Sequence, residues 1–416
     1  MEKKNNFNMG IRANLGQFSL QVLQVFFVGA TVGLERNIVP ILAREEFHVG
    51  SFSVLFSFIV SFGLVKALLN LTSGVWSDRW GRKPFLVLGW VAAIPVPLMI
   101  IWAQSWLWVT IANIFLGINQ GLTWTMTQTS KLDMAGEREK GLAASLNEWG
   151  GYLGVAVAAI ATGYLAASFG IRPVPFYFGL GVIAAALLIS LVFVKETLPF
   201  TRVSPAPQDS PHSFADVVRR VSWQDRSMFA CSQAGLIEKF VDVMVWVAFP
   251  LFFFGSLGVD KIGLVVGAYG LSWGFLQLAV GPISDRIGRK KLIVMGMWIC
   301  GLGILLTALG SGFYFWILTS TITGAGMALL YPTLIAAIAD QSHPSWRASA
   351  LGVYRMWRDA GYAIGALVIG LSMDMLGAQS SFYITALLMM ASGTVVAIMM
   401  RETVQSNRRG NITSPA

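Results

Sequence analysis

The sequence predicts an all-α membrane protein of twelve transmembrane helices arranged as two six-helix pseudo-repeats. Three observations predict it. Hydrophobic residues make up 55% of the 416-residue chain and charged residues 12%, whereas a soluble domain carries about 25% charged. Apolar runs of roughly the ~20 residues that cross a ~30 Å hydrocarbon core recur along the chain. A ten-residue charged stretch occurs twice, as Gly74-Val-Trp-Ser-Asp78-Arg79-Trp80-Gly81-Arg82-Lys83 and as Gly281-Pro-Ile-Ser-Asp285-Arg286-Ile287-Gly288-Arg289-Lys290. The copies lie 207 residues apart, half the chain. Self-similarity at that period marks two like halves, each with a charged turn between its second and third spans.

Residues 1–14 are polar. The apolar segment behind them is too long for a signal-peptide core and lacks a small-residue cleavage site, so it is read as a retained first span. Spans are predicted at about 15–39, 51–74, 84–104, 106–129, 141–167 and 174–194, then at about 228–255, 262–283, 291–310, 313–338, 348–375 and 380–400. Backbone groups cannot stay unpaired in lipid, so these segments are helices. Forty-three glycines suit close helix contacts. The division is an N-terminal bundle (1–194), a cytoplasmic central loop (195–227), and a C-terminal bundle with a short cytoplasmic tail (228–416). In the loop, Pro205, Pro207 and Pro211 precede a segment in which Phe214, Val217, Val218 and Val221 share one helical face. Either a short helix on the cytoplasmic leaflet or an ordinary surface helix fits that pattern.

The basic residues orient the chain. Of 30 lysines and arginines, 22 (Lys131 among them) fall on the side of the termini and 4 opposite, namely Arg36, Arg44, Arg172 and Lys261. This places both termini in the cytoplasm, in a multi-pass protein of the cytoplasmic (plasma) membrane. The net charge of +9 is then a topology signal, and no nucleic-acid partner is expected. Cys231 and Cys300 sit in apolar runs, and His48, His212 and His343 in loops, so no disulfide framework, metal site or cofactor is expected. The spans hold no Ser/His/Asp set, two-histidine metal helix or phosphate loop, and no enzyme is expected.

Ionisable groups inside spans are costly and are functional candidates by default. Lys66 lies 12 residues before Asp78, hence ~18 Å along a helix and near the midplane. Glu35 and Arg36 close the first span, at the outer interface or in the transport path. Glu238 and Asp242 share one face of the seventh span and are the better candidates for carrying protons, unless Lys239 neutralises one of them. In the fifth span, Asn147 and Glu148 precede Gly150-x-x-x-Gly154, and in the eleventh Arg355, Arg358 and Asp359 precede Gly361-x-x-x-Gly365. The glycine pairs suit close packing. Arg355 and Asp359 are spaced for an intrahelical pair, leaving Arg358 to meet Glu148, Asp78 or an anionic substrate. Asn70, Asn113, Asn119, Gln120, Thr123, Thr125 and Gln128 form a polar stripe on the second and fourth spans. Trp124, Trp246, Trp273, Tyr331 and Trp357 are candidate cavity walls, and Trp102, Trp106 and Trp108 candidate outer-interface anchors. The expected substrate or ion pathway is Glu35, Lys66, Asn113, Glu148, Glu238, Asp242, Arg355 and Arg358.

The repeated G-x-x-x-D-R-x-G-R-K turn resembles the signature of the major facilitator superfamily, and the resemblance covers essentially the whole chain. More of the pattern repeats, with Gly117 and Gly324, and Asp133 and Asp340, each 207 residues apart. Asp133-Met-Ala-Gly-Glu137-Arg138 looks like the family's acid-base turn, echoed by Asp340 and Arg347. The resemblance implies secondary transport by alternating access, with a substrate site near the midplane between the halves. Gly74 and Gly281 would admit a close neighbour, and Asp78 and Asp285 would sit near a helix N-terminus. The basic residues would pair with Asp133, Glu137, Asp340 or lipid phosphates. The expected cytoplasmic gate is Gly74, Asp78, Arg79, Gly81, Arg82, Asp133, Gly281, Asp285, Arg286, Gly288, Arg289, Asp340 and Asp359.

Within the family the chain is similar to drug/proton-antiporter-like members, with two departures. Asn113 stands where many proton-coupled members have arginine, and Gly150-Gly-Tyr-Leu-Gly154 lacks the antiporters' Gly-Pro pair. Both weigh against drug efflux. The expectation is a monomeric, proton-coupled secondary transporter of a small organic solute, with export favoured. An organic-anion carrier matched by Lys66, Arg355 and Arg358, an uptake symporter, and a non-transporting membrane sensor are the alternatives.

Overall fold

The computed structural model describes residues 9–136, 139–201, 213–343 and 346–404. Twelve helical rods run back and forth, which returns the chain to the face it started from. We number them α1 (Leu15–Arg36, continued by Val39–Glu45), α2 (Ser57–Trp80), α3 (Arg82–Ala93, continued by Pro95–Ile101), α4 (Trp106–Met134), α5 (Lys140–Phe169) and α6 (Val174–Val192). The second half holds α7 (Arg226–Val243, a π turn Met244–Ala248, then Phe249–Phe253), α8 (Val259–Ile287), α9 (Arg289–Leu309), α10 (Phe313–Asp340), α11 (Arg347–Leu376) and α12 (Ser380–Met399). Nine helices among the described residues are long and apolar enough to cross a membrane. The rods outside that set are α2, α4 and α7, which carry buried Lys66, Asn113, Gln120, Glu238, Lys239 and Asp242.

Small residues set the helix contacts. A Cβ on Gly154 would run into the Phe26 backbone carbonyl, and one on Gly150 would press on Val22 and Val25. The G-x-x-x-G face of α5 therefore lies on α1. Gly361 and Gly365 bring α11 onto Leu236, Lys239 and Phe240 of α7 in the same way. The internal repeat is visible in packing, since Gly117 meets the Phe62 carbonyl of α2 and Gly324 meets the Tyr269 carbonyl of α8.

Several sequence expectations are corrected. The first span does not end at Arg36. Pro40 sits in the first turn of a second helical segment, where its missing N–H costs nothing, and the rod runs on to Glu45. Glu35 and Arg36 are therefore inside the protein, 1% and 0% exposed, not at the outer interface. Lys131, counted with the inner surface charges, is also buried, and its Nζ donates to the Gln21 carbonyl at 2.8 Å. Trp102 is exposed, but Trp106 is buried and donates to the Val54 carbonyl at 2.9 Å. In the linker, Ser213 caps a helix over Phe214–Arg219. Val217 and Val221 are buried in the main hydrophobic core while Phe214 is exposed, so the helix docks on protein rather than lying on a leaflet. Pro205, Pro207, Pro211, Glu137 and Arg138 fall outside the described residues.

The glycine contacts make a testable statement. Gly154→Val forces α1 from α5 and should cost about 1–3 kcal/mol, as overpacking does. Gly181→Ala, with open space around the added carbon, should cost nothing. Melting of the detergent-purified variants checks both, and equal melting temperatures would refute the packing role.

Candidate functional site

Each half builds the same ion cluster on the face where α1 begins and α12 ends. Gly81 and Gly288 take φ of 98° and 104°, a backbone region that glycine enters without a Cβ clash, and this breaks α2 from α3 and α8 from α9. Arg82 Nε donates to Asp133 at 3.1 Å and its NH1 to Asp78 at 2.6 Å. Arg289 repeats this with Asp340 at 3.2 Å and Asp285 at 2.5 Å. The Glu196 carboxylate accepts the backbone N–H groups of Arg82 and Lys83 at 2.8 and 3.0 Å, and Glu402 those of Arg289 and Lys290 at 2.8 and 3.1 Å. These are the opening N–H groups of α3 and α9, which have no partner within their own helix. Thr197 and Thr403 close the joints by donating to Asp133 and Asp340 at 3.0 and 2.9 Å.

The joints correct the sequence reading in three ways. Asp78 and Asp285 stand in the last turns of α2 and α8, not at an N-terminus, with side chains 66% and 63% exposed. The helix dipole disfavours a carboxylate there, and the arginine four residues on offsets it. The named pairs brace each half internally and do not join one half to the other. Arg347 donates to the Ser342 carbonyl, not to Asp340. Arg79 and Arg286 are exposed. Gly74 lies in α2, and its surroundings are outside the described side chains. Glu196 and Glu402 were missed, although Lys195-Glu-Thr and Arg401-Glu-Thr, 206 residues apart, offered the same self-similarity signal as the charged turns.

A second set of charges is buried where the halves meet. Lys239 Nζ lies 3.0 Å from Glu238 and 2.9 Å from Asp242. Asp242 also accepts from the hydroxyls of Tyr269 and Tyr362 at 2.5 and 2.9 Å. The second oxygen of Glu238 has no hydrogen-bond partner among the described residues. Arg358 donates to Asp359 at 2.9 Å and to the Tyr331 hydroxyl at 2.6 Å. The expected Arg355–Asp359 pair is not made. The adjacent Arg358 takes the carboxylate, and Arg355 turns across to Gln128 of α4 at 2.5 Å. Asn70 of α2 donates to Asp359 and accepts from Thr125 at 3.1 Å, a further bridge between halves. Lys66 lies among the rings of Phe62, Trp124 and Tyr362 at 5.2–5.5 Å, with Asp359 the leading opposite charge acting on it but no ion pair among the described residues.

Other polar residues brace the first half. Asn113 donates to Glu35 at 3.0 Å. Glu148 accepts from Trp124 and Asn147 at 3.1 and 3.0 Å. Asn119 and Gln120 donate to carbonyls of α3 and α1, so this part of the stripe fastens helices. Of the aromatic candidates, Tyr152 stacks on Trp273 across the halves with centroids 3.4 Å apart. Trp357 instead donates to Ser222 of the linker at 2.9 Å.

The opposite face carries a contact no sequence signal announced. Asp374, at the end of α11, accepts from Ser51 Oγ, Phe52 N, Ser53 N and Ser53 Oγ at 2.6–2.8 Å, just ahead of α2. Elsewhere between the halves, Gly163 of α5 and Gly263 of α8 meet backbone to backbone. Among the described residues no three His, Cys, Asp or Glu side chains could hold a metal ion.

Residues 22–241 and 233–414 each match the Major Facilitator Superfamily. An uncharacterized MFS-type transporter of Salmonella typhimurium is 20% identical over 386 residues, 89% of this chain and 93% of that protein. The class E tetracycline resistance protein of Escherichia coli is 24% identical over 307 residues, 70% of this chain and 71% of its own. Among solved structures, the xylose transporter XylE from E. coli, in a partially occluded inward-open conformation, superposes with a TM-score of 0.74 at 14% identity, over 94% of this chain and 98% of its own. The human organic anion transporter MFSD10 gives 0.68 at 17%, over 92% and 99%. With both halves matched and the fold shared, this chain belongs to the Major Facilitator Superfamily.

Proposed function

We propose that the protein is a secondary active transporter that moves a small organic solute across the cytoplasmic membrane by alternating access, driven by protons, with export the favoured direction. It works as a monomer with both termini cytoplasmic and its joints at the lipid surface. Its units are 1–194, the loop 195–227, and 228–416. No enzymatic role is proposed. The observation that carries this reading is the set of charged side chains buried where the halves meet, because such groups are costly in lipid and persist where they serve an ion or solute path. The resistance proteins among its relatives support export over uptake by symport.

Two features support the mechanism. Glu238, Lys239 and Asp242 together hold one surplus negative charge, which a proton cancels. Asp242 is fixed by Lys239 and two tyrosines, whereas Glu238 has only Lys239 and a free oxygen, so Glu238 is the proton carrier and Asp242 the anchor. The Asp374 contact and the α5–α8 glycine contact seal one face, and opening that face requires breaking them. Glu35, Lys66, Glu148, Arg355 and Arg358 complete the pathway, with Asn113, expected in it, holding Glu35 in place. The Arg82 and Arg289 joints with Asp133, Asp340, Asp78 and Asp285 keep each half rigid while it rocks.

In proteoliposomes under an imposed pH gradient, Glu238→Gln should abolish gradient-driven transport yet keep counterflow, whereas Asp242→Asn should also lower the melting temperature. Full gradient-driven transport by Glu238→Gln would end the proton role. On a Cys231→Ser/Cys300→Ser background, Asp374→Ala should raise labelling of Ala363→Cys by an impermeant maleimide several-fold, and unchanged labelling would show that this contact does not hold the face shut. A cysteine at position 81 or 288 should resist the same reagent added to intact cells, and ready labelling would reverse the orientation.

A further inference from the structure

Most of the buried cations in the interior have a partner. Lys239 has Glu238 and Asp242, Arg358 has Asp359 and Tyr331, Arg355 has Gln128, and Lys131 has the Gln21 carbonyl. Arg36 does not. It is 0% exposed, and none of its three guanidinium nitrogens has a hydrogen-bond partner among the described residues. A guanidinium stays charged and carries five donors, so leaving all of them unmet is among the costliest burials a side chain can make. Its neighbour Glu35 forms no ion pair with it among the described residues; one carboxylate oxygen accepts from Asn113 and the other has no partner there. What Arg36 does have is rings, with Phe62, Phe58 and Trp246 centred 4.6, 5.5 and 5.7 Å from its Cζ.

Lys66 shares that setting. Phe62, 5.5 Å from its Nζ, is a ring that both cations approach, and Tyr362 packs edge-on to Phe62 with centroids 5.4 Å apart. Trp246 in turn stacks with Tyr362 at 5.9 Å. Cation–π attraction holds the charges in place but satisfies none of their N–H groups. The rings come from both halves, Phe62 from α2, Trp246 from α7 and Tyr362 from α11.

We infer that the transported solute is an organic anion, with its carboxylate or an equivalent oxyanion taken by Arg36 and Lys66 and its apolar body laid against Phe62, Trp246 and Tyr362. The inference rests on the transporter reading and names the substrate class. An anion supplies the acceptors that the two cations lack. A cationic solute would meet Arg36 and Lys66 as like charges, since Asp242 is held by Lys239 and two tyrosines, Asp359 by Arg358 and Asn70, and the spare charge on Glu238 is the one assigned to the proton. The rings give the solute its organic part, because an inorganic anion would leave them without contact. Entry of the solute between Phe62 and Tyr362 would part the two halves at the point where Gly63 packs on Tyr362, which links binding to their relative movement.

The test uses the purified full-length protein and a panel of matched aliphatic and aromatic solutes, each as carboxylate, amide and amine (benzoate, benzamide and benzylamine among them), with inorganic phosphate alongside. Thermal shift and tryptophan fluorescence report binding, and counterflow in proteoliposomes reports transport. At least one carboxylate should bind ten-fold or more ahead of its amide, its amine and phosphate. Arg36→Gln and Lys66→Gln should each lose ten-fold or more of that affinity, with Arg36→Lys between. Arg36→Gln without solute should melt no lower than wild type, since it removes an unmatched buried charge. A lower melting point would reveal a structural partner and overturn the inference, as would a panel in which no carboxylate outranks its amide. Counterflow of amines with carboxylates ignored sinks the anion class and leaves the transport reading standing, whereas the transport reading fails separately if gradient and counterflow assays move no solute at all.

Discussion

A charge inside a hydrocarbon slab must find an opposite charge, a dipole or an aromatic face, and the interior of this protein follows from that constraint. Among the described residues, nine of the twelve rods are apolar enough to span on their own. Those that are not, α2, α4 and α7, turn their polar groups toward one another and toward α11. The two halves therefore meet over polar groups rather than over a purely apolar seam. That makes their contact conditional, because groups held by hydrogen bonds and ion pairs exchange partners more readily than an interdigitated core separates.

The same constraint separates two kinds of polar residue. Asn119, Gln120, Asn113 and Lys131 hydrogen-bond within the first half and hold its helices in register. Asn70, Arg355 and Asp374 bond across the halves. The first kind sustains a rigid body and the second gives that body something to release. The clusters around Arg82 and Arg289 belong to the first kind, although their place at the charged turns suggested the second.

The sequence showed the architecture clearly, because hydropathy and a 207-residue repeat are properties of one dimension. It also identified the chemistry-bearing residues, since a charge within an apolar run is conspicuous wherever it points. What it could not show was direction. Arg355 and Asp359 have the spacing of a pair, yet the adjacent Arg358 claims the carboxylate, and only the packing of α4 decides where Arg355 turns. Arg36 read as an outer-side charge at the close of the first span, when Pro40 opens a helical continuation that carries the rod on to Glu45. Asp374 was silent, as a lone acid at the end of a span has no pattern. Glu196 and Glu402 were legible and overlooked, their repeat being shorter than the turns they complete.

The place of Glu196 and Glu402 bears on how the molecule is made. Each closes its half's joint from a position just beyond the sixth helix of that half. The opening turns of α3 and α9 thus stay unclosed while three further helices are synthesised, and only the arrival of the last residues of the half locks them. Each bundle carries its own completion signal, so an insertion machinery that released a half before its sixth helix had emerged would release a body whose charged turn was still loose.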